Sequence, residues 1–172
     1  MIDEMILGLV NKDALEEDNT QLINRCLFNG TIFMDMPVAF TELSDKKIKE
    51  RYTVDPRPRI VYSDESGKIN FTFNMLNEKI PDLQLYVFKI RESIKMVYPN
   101  TLFYEEDFFA DPDNVSIQYF DFRSSSLEGS IYNVMYLVQL TDKTLLGAFN
   151  CPFEVYINWK PVVKRVIKSI RI

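Results

Sequence analysis

Apolar residues recur along this chain with two different periods, and the changes between them mark out its elements. Leu22–Phe28 and Thr31–Met34 alternate like strands on either side of Asn29-Gly30. Both residues of that dipeptide accept positive φ, so it predicts a tight hairpin. Pro37 cannot donate to a ladder, and Val38–Leu43 therefore reads as an edge or a separate short element. Ser44 is the predicted N-cap of a short helix running to Tyr52, with Lys47 where a capping-box acid would stand. Ile60–Ser63 reads as a strand and Ser63–Lys68 as turn chemistry, with Gly67 at the bend. Ile69, Phe71 and Phe73 then alternate with Asn70, Thr72 and Asn74, the signature of a half-buried antiparallel strand.

Pro81-Asp82 opens the clearest helix. Leu83, Val87, Ile90, Ile94 and Val97 recur at helical spacing and form one apolar face, while Lys89, Arg91, Glu92 and Lys95 occupy the rest. Strands are predicted over Leu102–Phe109, Val115–Ser124, Ile131–Leu140 and Leu145–Cys151, and the short turns between them require antiparallel pairing. From Pro152 a final helical pattern places Tyr156, Trp159, Val163, Val166 or Ile167, and Ile170 on one face. Lys160, Lys164, Lys168 and Arg171 line the other, read as a solvated face, and Pro161 predicts a kink or a fresh helix start. Two or three helices and six or seven strands in grouped blocks predict an α+β fold with a mostly antiparallel sheet. Residues 1–20 read as a loosely attached segment and 21–172 as a single domain.

Composition narrows the chemistry more than it names it. At 172 residues and 47% hydrophobic, the chain can build an apolar core without a staple. Twenty basic residues against 25 acidic ones leave a net charge of −5, which gives no support to nucleic-acid binding. There is no histidine, so Ser-His-Asp and Cys-His catalysis and His-ligated metal sites are excluded. Cys26 and Cys151 are too few for a zinc site and read as two reduced thiols packing as small hydrophobes. The N-terminus starts acidic, its apolar run from Met5 to Val10 is too short for a secretory signal, and no membrane-length apolar stretch exists. A cytoplasmic location, no membrane span, no cofactor, no metal and no catalytic residue are the resulting expectations. The state expected is a monomer or a homodimer.

Three stretches carry a resemblance. They are Leu27-Phe28-Asn29-Gly30-Thr31-Ile32 with Met36-Pro37; Arg57-Pro58-Arg59-Ile60-Val61-Tyr62 with Asn70-Phe71-Thr72-Phe73; and Gly147-Ala148-Phe149-Asn150-Cys151-Pro152 with Trp159-Lys160-Pro161. In this order, from about residue 22 to the C-terminus, the chain resembles uncharacterised bacterial proteins of the Mog1/PsbP/DcrB-like class. The resemblance implies an antiparallel sheet flanked by helices on both faces, an α/β/α sandwich. It also implies a mostly non-catalytic role, since members of the class include a Ran GTPase-binding protein, an extrinsic photosystem II subunit and chaperones for type VI secretion effectors.

One constellation stands out from the rest. Glu105, Glu106, Asp107, Asp111 and Asp113 place five acids within nine positions, interleaved with Phe108 and Phe109. This segment is the candidate partner-binding site, an acidic and aromatic surface for a basic protein; a weak hard-cation site and a plain acidic strand end are the other readings. Asp111-Pro112-Asp113-Asn114 lacks the glycine and distant glutamate of an EF-hand loop. Ser124-Ser125-Ser126 reads as a polar bend without a nucleophile elbow, and Arg57 with Arg59 as solvated cations or an anion clamp. The expected function is a non-catalytic protein-binding module. A chaperone or immunity protein for a bacterial effector or toxin is the alternative, ahead of a carboxylate-using enzyme or a small-molecule sensor.

Overall fold

The computed structural model describes residues 20–110 and 115–172. The N-terminal segment reading and the positions Asp111 and Asp113 therefore lie outside the described residues. Among the described residues, nine strands, three α-helices and a short 3-10 turn follow in the order β1 (Leu22–Leu27), β2 (Ile32–Pro37), β3 (Thr41–Glu42), α1 (Asp45–Arg51), β4 (Ile60–Ser63), β5 (Asn70–Leu76), α2 (Leu83–Val97), β6 (Leu102–Ala110), β7 (Ser116–Ser126), β8 (Gly129–Gln139), β9 (Thr144–Pro152), the 3-10 turn (Phe153–Val155) and α3 (Tyr156–Lys168). Seven strands form one antiparallel sheet in the order β3-β4-β5-β9-β8-β7-β6, while β1 and β2 pair separately. The predicted α+β class with a mostly antiparallel sheet is what the chain adopts.

Local chemistry accounts for the turns. Asn29 and Gly30 both take positive φ, as the dipeptide requires, and Thr31 N–H closes the turn on the Phe28 carbonyl at 3.3 Å. Phe28 is left-handed as well, so β1 stops at Leu27, one residue short of expectation. Pro37 ends β2 opposite Leu22, where no further ladder bond is asked of it. Ser44 caps α1 by accepting from Lys47 N–H. The three serines 124–126 do not bend: they belong to β7, which pairs through Ser126↔Gly129 and turns over Leu127-Glu128.

Alternation along β7 and β8 sorts the core onto two faces. Ile117, Tyr119, Tyr132, Val134, Tyr136 and Val138 join α3 and the β1–β2 hairpin in the larger cluster. Phe120, Phe122 and Leu137 meet Leu83 and Val87 of α2 in the smaller one. Helices thus cover both faces, giving the α/β/α sandwich. Pro161 does not break α3. An interior proline costs a helix about 3 kcal/mol, but Val162, Val163, Val166 and Ile167 are buried, and each contributes roughly 1.5–3 kcal/mol on burial. Packing outweighs the proline, whose ring is exposed.

On the other face, α2 is only partly seated. Leu83 and Val87 are buried and Ile90 and Ile94 half-buried, but Val97, predicted to continue the stripe, is 67% exposed. The crossover from β5 to the far edge strand β6 carries the helix across the sheet, and its last turn overruns the surface beneath it.

One close approach within the sheet depends on a missing side chain. Gly147 of β9 lies opposite Tyr136 of β8, and a Cβ built there would meet the tyrosine ring at 2.2 Å. Tyr136 is wholly buried, so the ring has nowhere to retreat. Gly147→Ala is expected to lower stability by about 1–3 kcal/mol, the usual range for overpacking; a urea midpoint equal to wild type would show that the ring finds another rotamer.

Candidate functional site

The acidic segment folds as the edge strand β6, and the structure distributes its carboxylates over both faces of the sheet. Register shifts between Phe103 and Glu106, where β6 bulges against β7. The bulge is held by a buried carboxylate: Glu105 N–H donates to Asp121 Oδ1 at 2.6 Å. Asp121 is only 2% exposed. Its Oδ2 accepts from the Tyr132 hydroxyl at 2.7 Å and lies 2.9 Å from Lys160 Nζ. Lys160 also reaches Glu105 Oε2 at 3.0 Å, and Lys164 Nζ stands 2.8 Å from Glu105 Oε1. Two lysines expected on a solvated face therefore serve the sheet, because α3 lies on this face and their long side chains reach the carboxylates of β6 and β7.

These contacts move the titrations in consistent directions. The Lys164 and Lys160 ammonium groups hold the Glu105 carboxyl below the usual glutamate range despite partial burial. Burial opposes the charge on Lys160, but its bonds to Asp121 and Glu105 outweigh this and raise it. The Tyr119 and Tyr132 phenols are pushed well above 10, first by burial and then by the neighbouring carboxylates. The cluster is a satisfied electrostatic clamp.

On the opposite face Glu106 pairs with Arg91 of α2, whose guanidinium lies 4.8 Å from the centroid of the Phe103 ring. Gln118 Nε2 donates to the other oxygen of Glu106 at 3.3 Å. Here the first turn of α2 and the middle of β6 form the walls of a cleft of about 670 Å3, lined by Pro81, Asp82, Leu83, Gln84, Glu106, Asp107, Phe108, Ser116, Gln118 and Gln139. Among the described residues the lining contains no lysine or arginine, although Arg91 engages the Glu106 carboxylate. Asp82 caps α2 by accepting from Leu85 N–H at 2.9 Å, and Gln139 is anchored through the Ile80 carbonyl. Phe108 is 54% exposed at the rim, whereas Phe109 packs into the larger core.

Of the five acids singled out in the sequence, the cleft brings together Glu106 and Asp107. Glu105 belongs to the clamp on the other face, and Asp111 and Asp113 lie outside the described residues. Sequence reasoning missed Asp82, Gln118 and Gln139. Asp82 was visible only as a helix start, and the glutamines fall on strands whose register sequence does not reveal. Cys151 is buried, with its thiol pushed up to about 12 by that burial, but Cys26 is exposed rather than packed. Among the described residues no cluster of three or more Cys, Asp or Glu is placed to hold a metal, and no helix is long and apolar enough to cross a membrane.

No protein-family model and no curated protein matches the sequence. Solved structures do match its shape. Cyanobacterial PsbP from Synechocystis sp. PCC 6803 aligns with a TM-score of 0.65 and 8% identity, over 89% of this chain and 93% of that one. A point mutant of the protein Mog1 aligns at 0.58 and 13%, over 88% and 95%. LpqN, involved in cell envelope biogenesis of Mycobacterium tuberculosis, aligns at 0.54 and 9%, over 93% and 95%. The chain thus has the Mog1/PsbP-like fold, and at these identities the likeness is one of fold alone.

The clamp makes a pH prediction. A carboxyl whose folded pKa is depressed stabilises the fold fully above its unfolded value, near 4.5 for Glu105, and loses that contribution as pH falls through the lower folded value. Glu105→Gln is expected to be less stable than wild type at neutral pH and to show a flatter decline into acid. Urea midpoints across that range decide it; parallel curves for the two proteins would remove Glu105 from the acid response.

Proposed function

We propose that this protein is a non-catalytic, cytoplasmic protein-binding module, formed by one domain from about residue 21 onward. The observation that carries the reading is the uncovered apolar surface of α2 beside the acid-lined cleft. Leu85 is 50% and Phe88 58% exposed one helical turn apart, and Phe108 faces the same helix across the cleft. Large exposed side chains beside a polar rim are the usual make-up of a docking surface. The displaced carboxyls support the same reading. Asp35, Asp64 and Glu105 all shift downward, the direction of stabilised anions, whereas a carboxylate acting as general acid needs a raised pKa. A chaperone or immunity protein is one form such a module takes, and the acidic cleft favours a basic target.

The test is affinity capture from lysate with wild type and a Leu85→Ser/Phe88→Ser variant, read by mass spectrometry. Both side chains are exposed, so the variant should keep its melting point to within a few degrees. A stoichiometric protein retained by wild type and lost by the variant is the expected result. Identical captures by both proteins would overturn the reading.

A further inference from the structure

We propose that the outer edge of β6 is a docking strand for an extended, basic segment of another protein. That segment adds to the seven-stranded sheet and sets a lysine or arginine side chain in the acid-lined cleft. The inference rests on the binding-module reading and names the partner's chemistry and its mode of attachment.

An open sheet presents two edges, and here they differ. β3 offers two residues, too few to template a partner, whereas β6 offers nine and no described strand pairs with its outer side. Free edges of this length are pairing sites unless they are guarded. The guard is visible. Phe108 N–H donates to Oδ1 of Asp107 at 2.8 Å, whereas Glu105 N–H, three positions earlier, is directed at Asp121 of β7. In an antiparallel ladder a residue turns its N–H and C=O to the same side, and alternate residues do likewise. Glu106, Phe108 and Ala110 therefore direct their backbone groups outward, while Asp107 and Phe109 serve β7. A partner carbonyl would take over the Phe108 N–H and release the Asp107 carboxylate.

Charge selects the occupant. Asp82, Glu106 and Asp107 line the adjoining cleft; Arg91 meets Glu106 alone, so the three carboxylates keep an excess of negative charge, and Gln118 and Gln139 add amide groups. A strand residue paired beside Glu106 and Phe108 points into this cleft on the α2 side, where a guanidinium or ammonium group finds acceptors. A second copy of this chain fits badly. Antiparallel pairing of two β6 strands about their centre sets Glu106 against its own copy and Asp107 against Glu105, and like charges directly opposite are destabilising. Exposed Phe108 supplies an apolar cross-strand neighbour. The occupant is thus a segment alternating basic and apolar residues.

The experiment uses fluorescence anisotropy with the full chain and a synthetic heptapeptide of alternating arginine and valine. The comparison peptides are its glutamate–valine counterpart and the same arginine–valine sequence N-methylated at alternate residues. The arginine peptide is expected to bind, and to weaken with salt, while the glutamate and N-methylated peptides fail. Phe108→Pro, which removes the outward N–H, should bind about tenfold more weakly than Phe108→Ala, the worth of one backbone hydrogen bond. Asp107→Asn keeps an acceptor for that N–H but loses the charge, and should weaken the arginine peptide several-fold. Should Phe108→Pro fail to fold, the N-methylated peptide carries the backbone test alone. Equal binding of arginine and glutamate peptides, indifference to N-methylation, or a wild-type dimer in sedimentation equilibrium that Phe108→Pro dissolves would each overturn the proposal. If the peptides fail while a Leu85/Phe88-dependent partner is still captured, the edge proposal falls and the binding-module reading stands; if both fail, the module reading falls too.

Discussion

A carboxylate almost sealed from water, Asp121, ties four elements of this molecule together. It sits in β7, takes the Tyr132 hydroxyl of β8, fixes the bulge of β6 through Glu105 N–H, and meets Lys160 of α3. Four elements therefore share one charge. A buried ion need not add to stability over an apolar replacement, but removing one partner of such a pair costs about 3–5 kcal/mol because the other charge is left uncompensated. That asymmetry fixes geometry. α3 cannot slide along the sheet, and β6 cannot straighten, without stranding Asp121 or Lys160.

The consequence reaches the opposite face. The bulge changes the phase of β6, so that Glu105 turns toward α3 while Glu106 and Phe108 turn toward α2. The clamp on one side thereby sets which side chains face the cleft on the other. The two faces are also covered unequally. The larger cluster fills the space under α3 and the β1–β2 hairpin, whereas α2 buries little beyond Leu83 and Val87. A helix held at its first half leaves apolar side chains uncovered along the rest, and this is the surface on which a binding role depends.

Much of the architecture is legible in the sequence. Asn29-Gly30, the Asp64–Gly67 turn, the alternation through Phe71 and Phe73 and the α2 stripe each follow from local rules, and each element formed where those rules placed it to within a residue or two. The errors have a common cause. Val97 satisfies the helical period yet lies outside the packed surface, Pro161 breaks a local rule that packing overrides, and Lys160 and Lys164 satisfy the pattern of a solvated face yet bind carboxylates some forty to sixty positions away in the chain.

The candidate site divides along the same line. From the sequence alone come the run Glu105-Glu106-Asp107 beside Phe108 and Phe109, the absence of histidine, and the expectation of an antiparallel sheet with helices on both faces, because composition and short-range periodicity are properties of neighbours in the chain. Only the tertiary structure decided that Glu105 is neutralised, that Asp82, Gln118 and Gln139 share a cleft with Glu106 and Asp107, and that β6 ends the sheet among the described strands. Strand order, bulge phase and ion pairing are set by groups distant in sequence, and the energy that selects them appears only when the chain is packed.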